Sequence, residues 1–269
     1  MSIETDYIKL VEELIDAPAK ESRTDTGTRA VFARQLSHDC SEGLPILTTK
    51  KVWVRGAIVE LIWILNGRTD LRFLHHYGVK YWDHDYKQSH RNDMHLGPVY
   101  GKQWRNFGGV DQLANLLRTL QNNPSSRRML VQAWNPTEVN DGVLPPCHYG
   151  FQVQVQDGRL NLLWLQRSVD IFLGFPIDLA MYGILLEMLA KGAGLKAGIL
   201  TCQMGDVHLY DNHTEAAKQQ ISNKLQPFCR LDLKKGLHLE NGIVQIPNVN
   251  DVSVHDYVSS DKIKAQFPS

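Results

Sequence analysis

Residues 151–166 read FQVQVQDGRLNLLWLQ, and this stretch carries the clearest secondary-structure pattern of the chain. Apolar side chains at positions 151, 153 and 155 alternate with glutamines, which is the period of a strand with one buried face. Asp157-Gly158 follows, a dipeptide favoured in two-residue hairpin turns because both residues tolerate a positive φ. Residues 159–166 are again strand-like. The stretch therefore predicts a β-hairpin.

Helical and strand patterns surround this hairpin on both sides. The predicted elements are helices near 7–15 and over 54–65, 110–122, 179–191 and 212–222, and strands over 129–134 and 199–210. Because they do not alternate as regular βαβ units, the sequence predicts an α+β fold around a mostly antiparallel or mixed sheet. No repeat or linker interrupts the pattern, so residues 1–269 are expected to form a single domain.

The chain is electrically balanced, with 29 Lys+Arg against 29 Asp+Glu in 269 residues. Zero net charge argues against a nucleic-acid or membrane partner, although it permits a local basic cluster that faces a small anion. The sequence contains no apolar run of about 18 residues, the length that a membrane span requires. Its N-terminus lacks the basic-then-apolar pattern of a signal peptide, so a cytoplasmic location is expected.

Four cysteines are far apart and form no C-x-x-C pair: Cys40, Cys147, Cys202 and Cys229. This spacing fits neither a disulfide framework nor a zinc site, so free thiols and no metal site are predicted. Cys147 follows two prolines and precedes His148 at the start of a predicted strand. A thiol at a rigid strand entrance beside a histidine fits a nucleophile, and a buried cysteine beside a turn is the alternative.

Arginines and two strand residues are the other candidates for a binding site. The basic candidates are Arg23 in a polar loop, Arg127 and Arg128 before one predicted strand, and Arg167 with Ser168 at the end of another. A guanidinium suits bidentate phosphate binding, but an arginine taken alone is more often a solvated surface residue. His208 and Tyr210 alternate on a predicted strand and therefore face the same side, where they could bind one ligand hydroxyl or cap a sheet edge.

Six segments occur along the chain in a fixed order: RTDTGT (23–28), GPVYGKQW (97–104), SRR (126–128), PCH (146–148), QRSVDIFLG (166–174) and DVHLY (206–210). Together they resemble the thymidylate synthase family, and the resemblance runs nearly end to end. It implies a thymidylate synthase-like fold, with a mixed β-sheet packed with helices and a homodimer formed through the sheet. It also implies one-carbon transfer from 5,10-methylenetetrahydrofolate to C5 of a pyrimidine nucleoside monophosphate.

The resemblance assigns roles to individual side chains. Cys147 would add to C6 of the pyrimidine, while Glu60, Tyr100 and His148 would order water and move protons at the base. The phosphate would be held by Arg23, Arg167 and Ser168 together with Arg127 and Arg128 of the partner subunit. The sugar 3′-hydroxyl would be bound by His208 and Tyr210. Contacts to the folate would come from Trp82, Asp85, Asp170 and Ala265.

One position departs from the family in a way that concerns the base. The family carries an asparagine in the loop after F-L-G, where this chain has Asp178. Asparagine offers a donor and an acceptor that match N3–H and O4 of uracil, whereas cytosine reverses that pattern. Cytosine is satisfied by a carboxyl that accepts a hydrogen bond from the 4-amino group and shares a proton with N3. Uracil is not satisfied by an ionised carboxylate, because the carboxylate and O4 are both acceptors. The same difference marks the deoxycytidylate hydroxymethylases, so dCMP is the predicted substrate.

Two further departures concern the product. The family has a second tryptophan three residues after the first, where this chain has Asp85, and the tail ends in QFPS (266–269). Hydride transfer requires a dry, well-packed folate ring, and a carboxylate could admit or orient water. The sequence therefore favours 5-hydroxymethyl-dCMP, unless Asp85 merely faces solvent. Four alternatives stay open: a dCMP C5-methyltransferase, a thymidylate synthase that tolerates Asp178 and acts on dUMP, a CMP hydroxymethylase, and a silent nucleotide-binding relative.

Overall fold

The structure, a computed structural model, describes residues 2–21 and 26–266. Within these ranges the helices are α1 (Ile3–Asp16), α2 (Val54–Leu65), α3 (Leu71–His76), α4 (Asp83–Gln88), α5 (Tyr100–Arg105), α6 (Gln112–Asn122), α7 (Gly174–Gly192) and α8 (Thr214–Ile221). The strands are β1 (Ala19–Lys20), β2 (Thr28–Asp39), β3 (Leu130–Gln132), β4 (His148–Gln156), β5 (Arg159–Asp170), β6 (Lys196–Tyr210), β7 (Arg230–Leu233), β8 (His238–Glu240), β9 (Ile243–Gln245) and β10 (Val252–His255).

One mixed sheet organises the fold, with strand order β1-β2-β6-β5-β4-β3 in the described part of the chain. Strands β5 and β6 run parallel, and the other neighbours in this sheet run antiparallel. The predicted hairpin is the β4–β5 pair, and its turn residues Asp157 and Gly158 both have positive φ, at 51° and 73°. The predictions of the hairpin and of an α+β fold with a mixed sheet are confirmed.

The two faces of the sheet differ in what covers them. Phe151, Val153 and Trp164 on the inner face are fully buried, and the almost wholly apolar helix α7 packs against β5 and β6 on that side. On the outer face the side chains of Gln35 and Gln203 are exposed. The alternation along each strand therefore leaves one sheet face uncovered by the described helices.

Helix α7 begins at Gly174, five residues before the predicted start, so the predicted loop position of Asp178 is wrong. Oδ1 of Asp170 accepts the backbone N–H groups of Phe172 and Leu173, which organises the chain just before the helix. Pro176 lies in the first turn, where a missing N–H costs nothing. Asp178 is consequently on the second turn of a rigid, buried helix.

Other boundaries also differ from prediction. The strand predicted over 129–134 is shorter, the strand predicted from 199 begins at Lys196, and the helix predicted from 110 begins after Asp111, whose side chain accepts the Ala114 N–H. The helix predicted over 212–222 starts as a 3₁₀ turn at Asp211–His213 and continues as α8. Strand β2 was not predicted, because a bulge at Ala33 (φ 57°) breaks its alternation.

All four cysteines carry free thiols; Cys147 is half-buried and the other three are buried. Across residues 2–21 and 26–266, no helix has both the length and the apolar character that crossing a bilayer demands. The cytoplasmic location stays a prediction.

Candidate active site

Cys147 stands directly before β4, and its peptide is held on both sides. Its backbone N–H donates to Oη of Tyr100 on α5 at 2.9 Å. Its carbonyl accepts the backbone N–H of Arg167 on β5 at 2.9 Å. The backbone that carries the thiol is therefore fixed between a helix and a strand, as a nucleophile requires.

The Arg167 side chain is held beside Cys147 by the backbone carbonyls of the two prolines that precede this cysteine. Its Nε donates to the Pro146 carbonyl and its Nη2 to the Pro145 carbonyl, each at 2.9 Å. The guanidinium also lies over the Trp134 ring, 5.4 Å from the centroid. These carbonyls engage two of the five guanidinium N–H groups, so a permanent positive charge with further donors is placed next to Cys147.

Asp178 projects from α7 into the same region. Its Oδ2 accepts a hydrogen bond from Nε2 of Gln166 at 2.7 Å, and its Oδ1 lies 4.0 Å from Nε2 of His148. Burial raises the pKa of Asp178 to about 8, and the negative charge of Glu60 acts in the same direction. At neutral pH the side chain therefore carries a proton and offers one donor and one acceptor.

His148 is buried between two tyrosines. Its ring stacks on Tyr100, with centroids 4.0 Å apart and planes 7° apart, and its Nδ1 shares a hydrogen bond of 2.9 Å with Oη of Tyr182. Burial lowers the pKa of His148 to about 3. The imidazole is therefore neutral at physiological pH, and it can relay a proton through hydrogen bonds but is not a cationic acid.

Glu60 on α2 is a second buried carboxyl of this network. It is only 6% exposed, and its two oxygens accept hydrogen bonds from Oη of Tyr81 at 2.6 Å and Nε1 of Trp82 at 2.7 Å. Burial raises the pKa of Glu60, while these two hydrogen bonds oppose the shift. The Trp82 ring in turn lies 6.2 Å from that of Tyr100, so the carboxyl and the nucleophile are joined through aromatic side chains.

The parallel pairing of β5 and β6 brings a row of polar side chains together. Ser168 pairs with Asp206, and Asp170 pairs with His208. The His208 and Tyr210 rings lie 5.2 Å apart, which confirms that they share a face. The Nδ1 of His208 hydrogen-bonds Oδ1 of Asp206 at 3.0 Å, which orients the imidazole.

Taken together, these contacts place a thiol, a guanidinium, a neutral histidine and two buried carboxyls in one contiguous network. The thymidylate synthase family model matches residues 5–268. The chain belongs to the thymidylate synthase family. It is also 39% identical to the thymidylate synthase of Mesoplasma florum (strain ATCC 33453 / NBRC 100688 / NCTC 11704 / L1), over 97% of this chain and 98% of that protein.

Members of this family transfer a one-carbon unit to C5 of a pyrimidine nucleotide, and 5,10-methylenetetrahydrofolate is the co-substrate. This chain is accordingly a folate-dependent one-carbon transferase of the thymidylate synthase family. Family membership also suggests a role for each residue of this network. The resemblance assigns the nucleophile to Cys147 and proton movement at the base to the buried carboxyls and the histidine, and these roles stay predictions.

Arg127 and Arg128, which the resemblance places at the phosphate, lie elsewhere in this subunit. Both are exposed, and Arg127 lines a groove on the outer sheet face with Gln154 and Asn161. Gln154 is seven residues from Cys147 along an extended strand, roughly 20 Å at the usual rise of a strand. An arginine side chain cannot span that distance, so Arg127 does not reach the nucleophile of its own subunit.

Arg23, the remaining phosphate candidate, lies outside the described residues. The described chain resumes at Thr26, and Thr28 pairs with Tyr210 at the end of β6. The contribution of Arg23 to a phosphate site stays a prediction.

The other folate candidates lie on two separate elements. Asp85 is half-buried in the first turn of α4, three residues after Trp82. Ala265 in the tail packs partly buried against the core, and the next residue, Gln266, accepts a hydrogen bond of 2.7 Å at its carbonyl from Nε2 of His213. The tail is thus held in place up to that residue.

Asp170 has a structural role beside its predicted folate contact. Its Oδ1 accepts two backbone N–H groups just before α7. Nearby, Nζ of Lys50 donates to the Phe172 carbonyl and lies 3.7 Å from the centroid of the Phe172 ring. Burial lowers the pKa of Lys50 to about 7, an effect that the charge of Asp170 partly offsets. Lys50 was not predicted from the sequence.

Further functional residues were also missed. Four of them contact a predicted residue directly, namely Tyr81, Gln166, Tyr182 and Asp206, and the fifth, Trp164, contacts Gln166. Gln166 was visible, since it opens the QRSVDIFLG segment, but nothing in the sequence alone indicates which groups its amide contacts. Asp206 was visible in the same way, since it opens the DVHLY segment. The three aromatic residues have no local signal, because a buried aromatic residue is ordinarily a core residue.

Proposed function

We propose that this protein is a C5 hydroxymethylase of dCMP. The observation that carries the proposal is Asp178, a protonated and buried carboxyl at the position where the base is expected. Cytosine presents a 4-amino donor and a basic N3, so one carboxyl oxygen accepts while the other shares its proton with N3. Uracil O4 is far less basic and cannot hold the proton, so uracil is matched only by a neutral carboxyl with its proton on one particular oxygen. Cytosine is therefore the better partner for an aspartic acid here.

The chain's own residues support the first steps of this reaction. Cys147 attacks C6 as the thiolate, its proton having passed to water, and the electron pair of the C5–C6 double bond moves into the ring. The proton held at Asp178 stabilises the charge that develops at N3. 5,10-Methylenetetrahydrofolate supplies the one-carbon unit when it is bound. Glu60, held by Tyr81 and Trp82, is the buried carboxyl available to hold or accept a proton at C5 through ordered water.

The hydroxymethyl product is proposed from the surroundings of Trp82. Asp85 lies three residues after Trp82 and therefore on the same side of α4, about one turn away. A carboxylate in the wall that covers the transferred carbon can order water. That water would add to the methylene at C5 in place of hydride and lose a proton, and the C6–S bond to Cys147 would break, which leaves a hydroxymethyl group on the released nucleotide. This step would leave the folate unoxidised.

Product identification tests the proposal. The enzyme is incubated with 5,10-methylenetetrahydrofolate and dCMP, dUMP or CMP in parallel, with mass spectrometry of the nucleotide and absorbance of dihydrofolate. We expect dCMP to gain CH₂O with no dihydrofolate formed. A gain of CH₂ with dihydrofolate indicates a methyltransferase, and faster turnover of CMP indicates a ribonucleotide enzyme. Turnover of dUMP at least equal to that of dCMP overturns the substrate assignment.

The pH profile gives a second prediction. Burial raises the pKa of Asp178 to about 8, above its ordinary value, so the required proton is present below that pH and lost above it. We expect kcat/KM for dCMP to fall about tenfold per pH unit above about 8, because kcat/KM reports the free enzyme. A matched profile of the Asp178→Asn variant with dUMP should lack this falling limb. An identical limb in both proteins would assign it to another group.

We also propose a homodimer formed through the outer face of the sheet. This face is uncovered by the described helices, and Arg127 lines a groove on it that lies too far from its own Cys147. A two-fold axis through this face lets each subunit lend arginines to the other's phosphate site. The two predicted sites would then each need both chains.

Subunit mixing tests this arrangement. The Arg127→Ala and Cys147→Ala variants are each expected to be inactive or nearly so. A co-refolded equimolar mixture of the two should recover about a quarter of the wild-type activity. The reason is that half of the dimers contain one chain of each variant, and each of these dimers has one intact site out of two. Arg118→Ala, an exposed arginine on α6 that bonds Asn115, is the matched control and should remain active alone. Failure of the mixture to exceed either parent would place Arg127 in its own subunit's site or in none.

A further inference from the structure

The C-terminal tail follows β10 and is first anchored at Tyr257. Oη of this tyrosine accepts the Val52 N–H at 2.9 Å and donates to the Leu47 carbonyl at 2.8 Å. Three residues later, the Ser260 N–H donates to the Thr48 carbonyl at 2.8 Å. The start of the tail is therefore fixed to the loop that precedes α2.

The far end of the tail is held by one histidine. Nε2 of His213 hydrogen-bonds the Gln266 carbonyl at 2.7 Å. In the described part of the chain, this is the only hydrogen bond that residues 262–266 make. Ile263 and Ala265 pack against the core but stay partly exposed. The position of this end of the tail therefore depends mainly on the contact with His213.

His213 is fully buried, and its contact shows which ring nitrogen carries a hydrogen. A backbone carbonyl can only accept, so Nε2 must be the donor. The other nitrogen, Nδ1, is enclosed and has no hydrogen-bond partner among residues 2–21 and 26–266. Burying such an atom costs stability, so packing alone would be served better by an apolar residue. The contact with the tail accounts for the polar ring at this position.

The His213 ring also contacts the regions where both ligands are predicted to bind. Its centroid lies 5.5 Å from that of Phe172 and 5.6 Å from that of Tyr210. The Phe172 N–H in turn donates to Asp170. Asp170 and Ala265 are predicted folate contacts on the sheet and on the tail, and Tyr210 is a predicted sugar contact. His213 therefore connects the tail to the sheet beside both predicted binding regions.

We propose that His213 is a positioning residue for the folate, which acts by holding the end of the tail against the sheet. With this contact in place, Ala265 keeps its position relative to Asp170, so the folate does not have to order the tail when it binds. Binding to a site that is already ordered costs less free energy. The proposal rests on the predicted folate contacts of Asp170 and Ala265. It holds for dCMP and dUMP alike, because it concerns the folate and not the base.

The test is the His213→Phe variant, which keeps a ring between Phe172 and Tyr210 and removes the donor. Trypsin cuts after lysine, and Lys262 and Lys264 are exposed on the tail, so cleavage there follows the open fraction of the tail. KM for 5,10-methylenetetrahydrofolate, measured with saturating nucleotide, follows the inverse of the closed fraction. The product of the two increases therefore equals the change in the opening equilibrium. We expect this product to be about tenfold, the effect of one buried hydrogen bond, with each factor above about twofold.

Two further variants separate the contact from general packing. His213→Gln should keep both values within about twofold of wild type, because a glutamine amide N–H reaches about as far as Nε2 of histidine. His38→Phe is the matched control, since His38 is also buried, with Nε2 at 2.8 Å from the Gly43 carbonyl and its ring 4.6 Å from that of Phe228. It should lower the melting temperature and leave tail cleavage and KM for the folate unchanged.

The nucleotide is the one that the wild type turns over faster, so a preference for dUMP refutes the proposed function and leaves these expectations in place. Unchanged tail cleavage or an unchanged KM for the folate in His213→Phe overturns the proposal. A KM for the nucleotide that rises as much as that for the folate also overturns it. If His213→Phe does not fold, His213→Leu replaces it under the same criteria.

Discussion

Replacing Cys147 by alanine is expected to reduce product formation by at least about 10⁴-fold, the usual effect of removing a covalent nucleophile. The reason is specific to this chain. The peptide of Cys147 is held by Tyr100 on one side and Arg167 on the other, so the thiol alone is deleted and the surrounding network stays in place. Nucleotide affinity should therefore remain close to that of the wild type.

Two measurements decide this prediction. A quenched assay with dCMP follows product over several hours, and calorimetry follows nucleotide binding. Cys229→Ala is the control, because it removes another buried thiol, which contacts the Leu44 carbonyl at 3.9 Å, and it should keep near wild-type activity. Residual turnover above 1% in Cys147→Ala would mean that the thiol is not the nucleophile. A wild type that binds nucleotide and turns over none of the three substrates would support a silent relative.

The sequence predicts best those features whose causes are local. Residues 151–166 carry both the strand period and the turn dipeptide, and both are confirmed. The predicted start of α7 was wrong for two reasons that the local pattern does not show. Asp170 organises the chain just before the helix. Pro176 resembles a helix breaker in the sequence, but it lies in the first turn, where proline is tolerated. β2 was missed because Ala33 shifts the alternation by one residue.

The same distinction applies to the site. Reactive and charged residues such as Cys147 and Arg167 stand in recognisable segments, so a role in the site could be predicted for them from the sequence. The state of each group could not, because it depends on burial and on neighbours from distant strands. His148 illustrates this: beside a cysteine it suggests an acid or base, yet burial among aromatic rings keeps it neutral.

Asp178→Asn is expected to move substrate preference from dCMP toward dUMP by about 10³-fold, because two hydrogen bonds to the base exchange donor and acceptor together. Gln166 makes the direction definite. Its amide nitrogen donates toward residue 178 and so binds the new side-chain oxygen, which turns the new NH₂ group to the position of the Asp178 Oδ1. That group can donate to uracil O4 but cannot share a proton with cytosine N3.

The comparison is made as kcat/KM for both nucleotides at pH 7, with Asp111→Asn as the control. Asp111 caps α6, and asparagine caps a helix equally well, so this variant changes one carboxyl to an amide far from Cys147 and should preserve substrate preference. It also removes the ion pair of Asp111 with Arg105, so its melting temperature is measured alongside. A preference for dCMP that stays within threefold of wild type in Asp178→Asn would separate residue 178 from the base. In that case the raised pKa of Asp178 would reflect burial beside Glu60 alone, and the choice of substrate would lie with another part of the site.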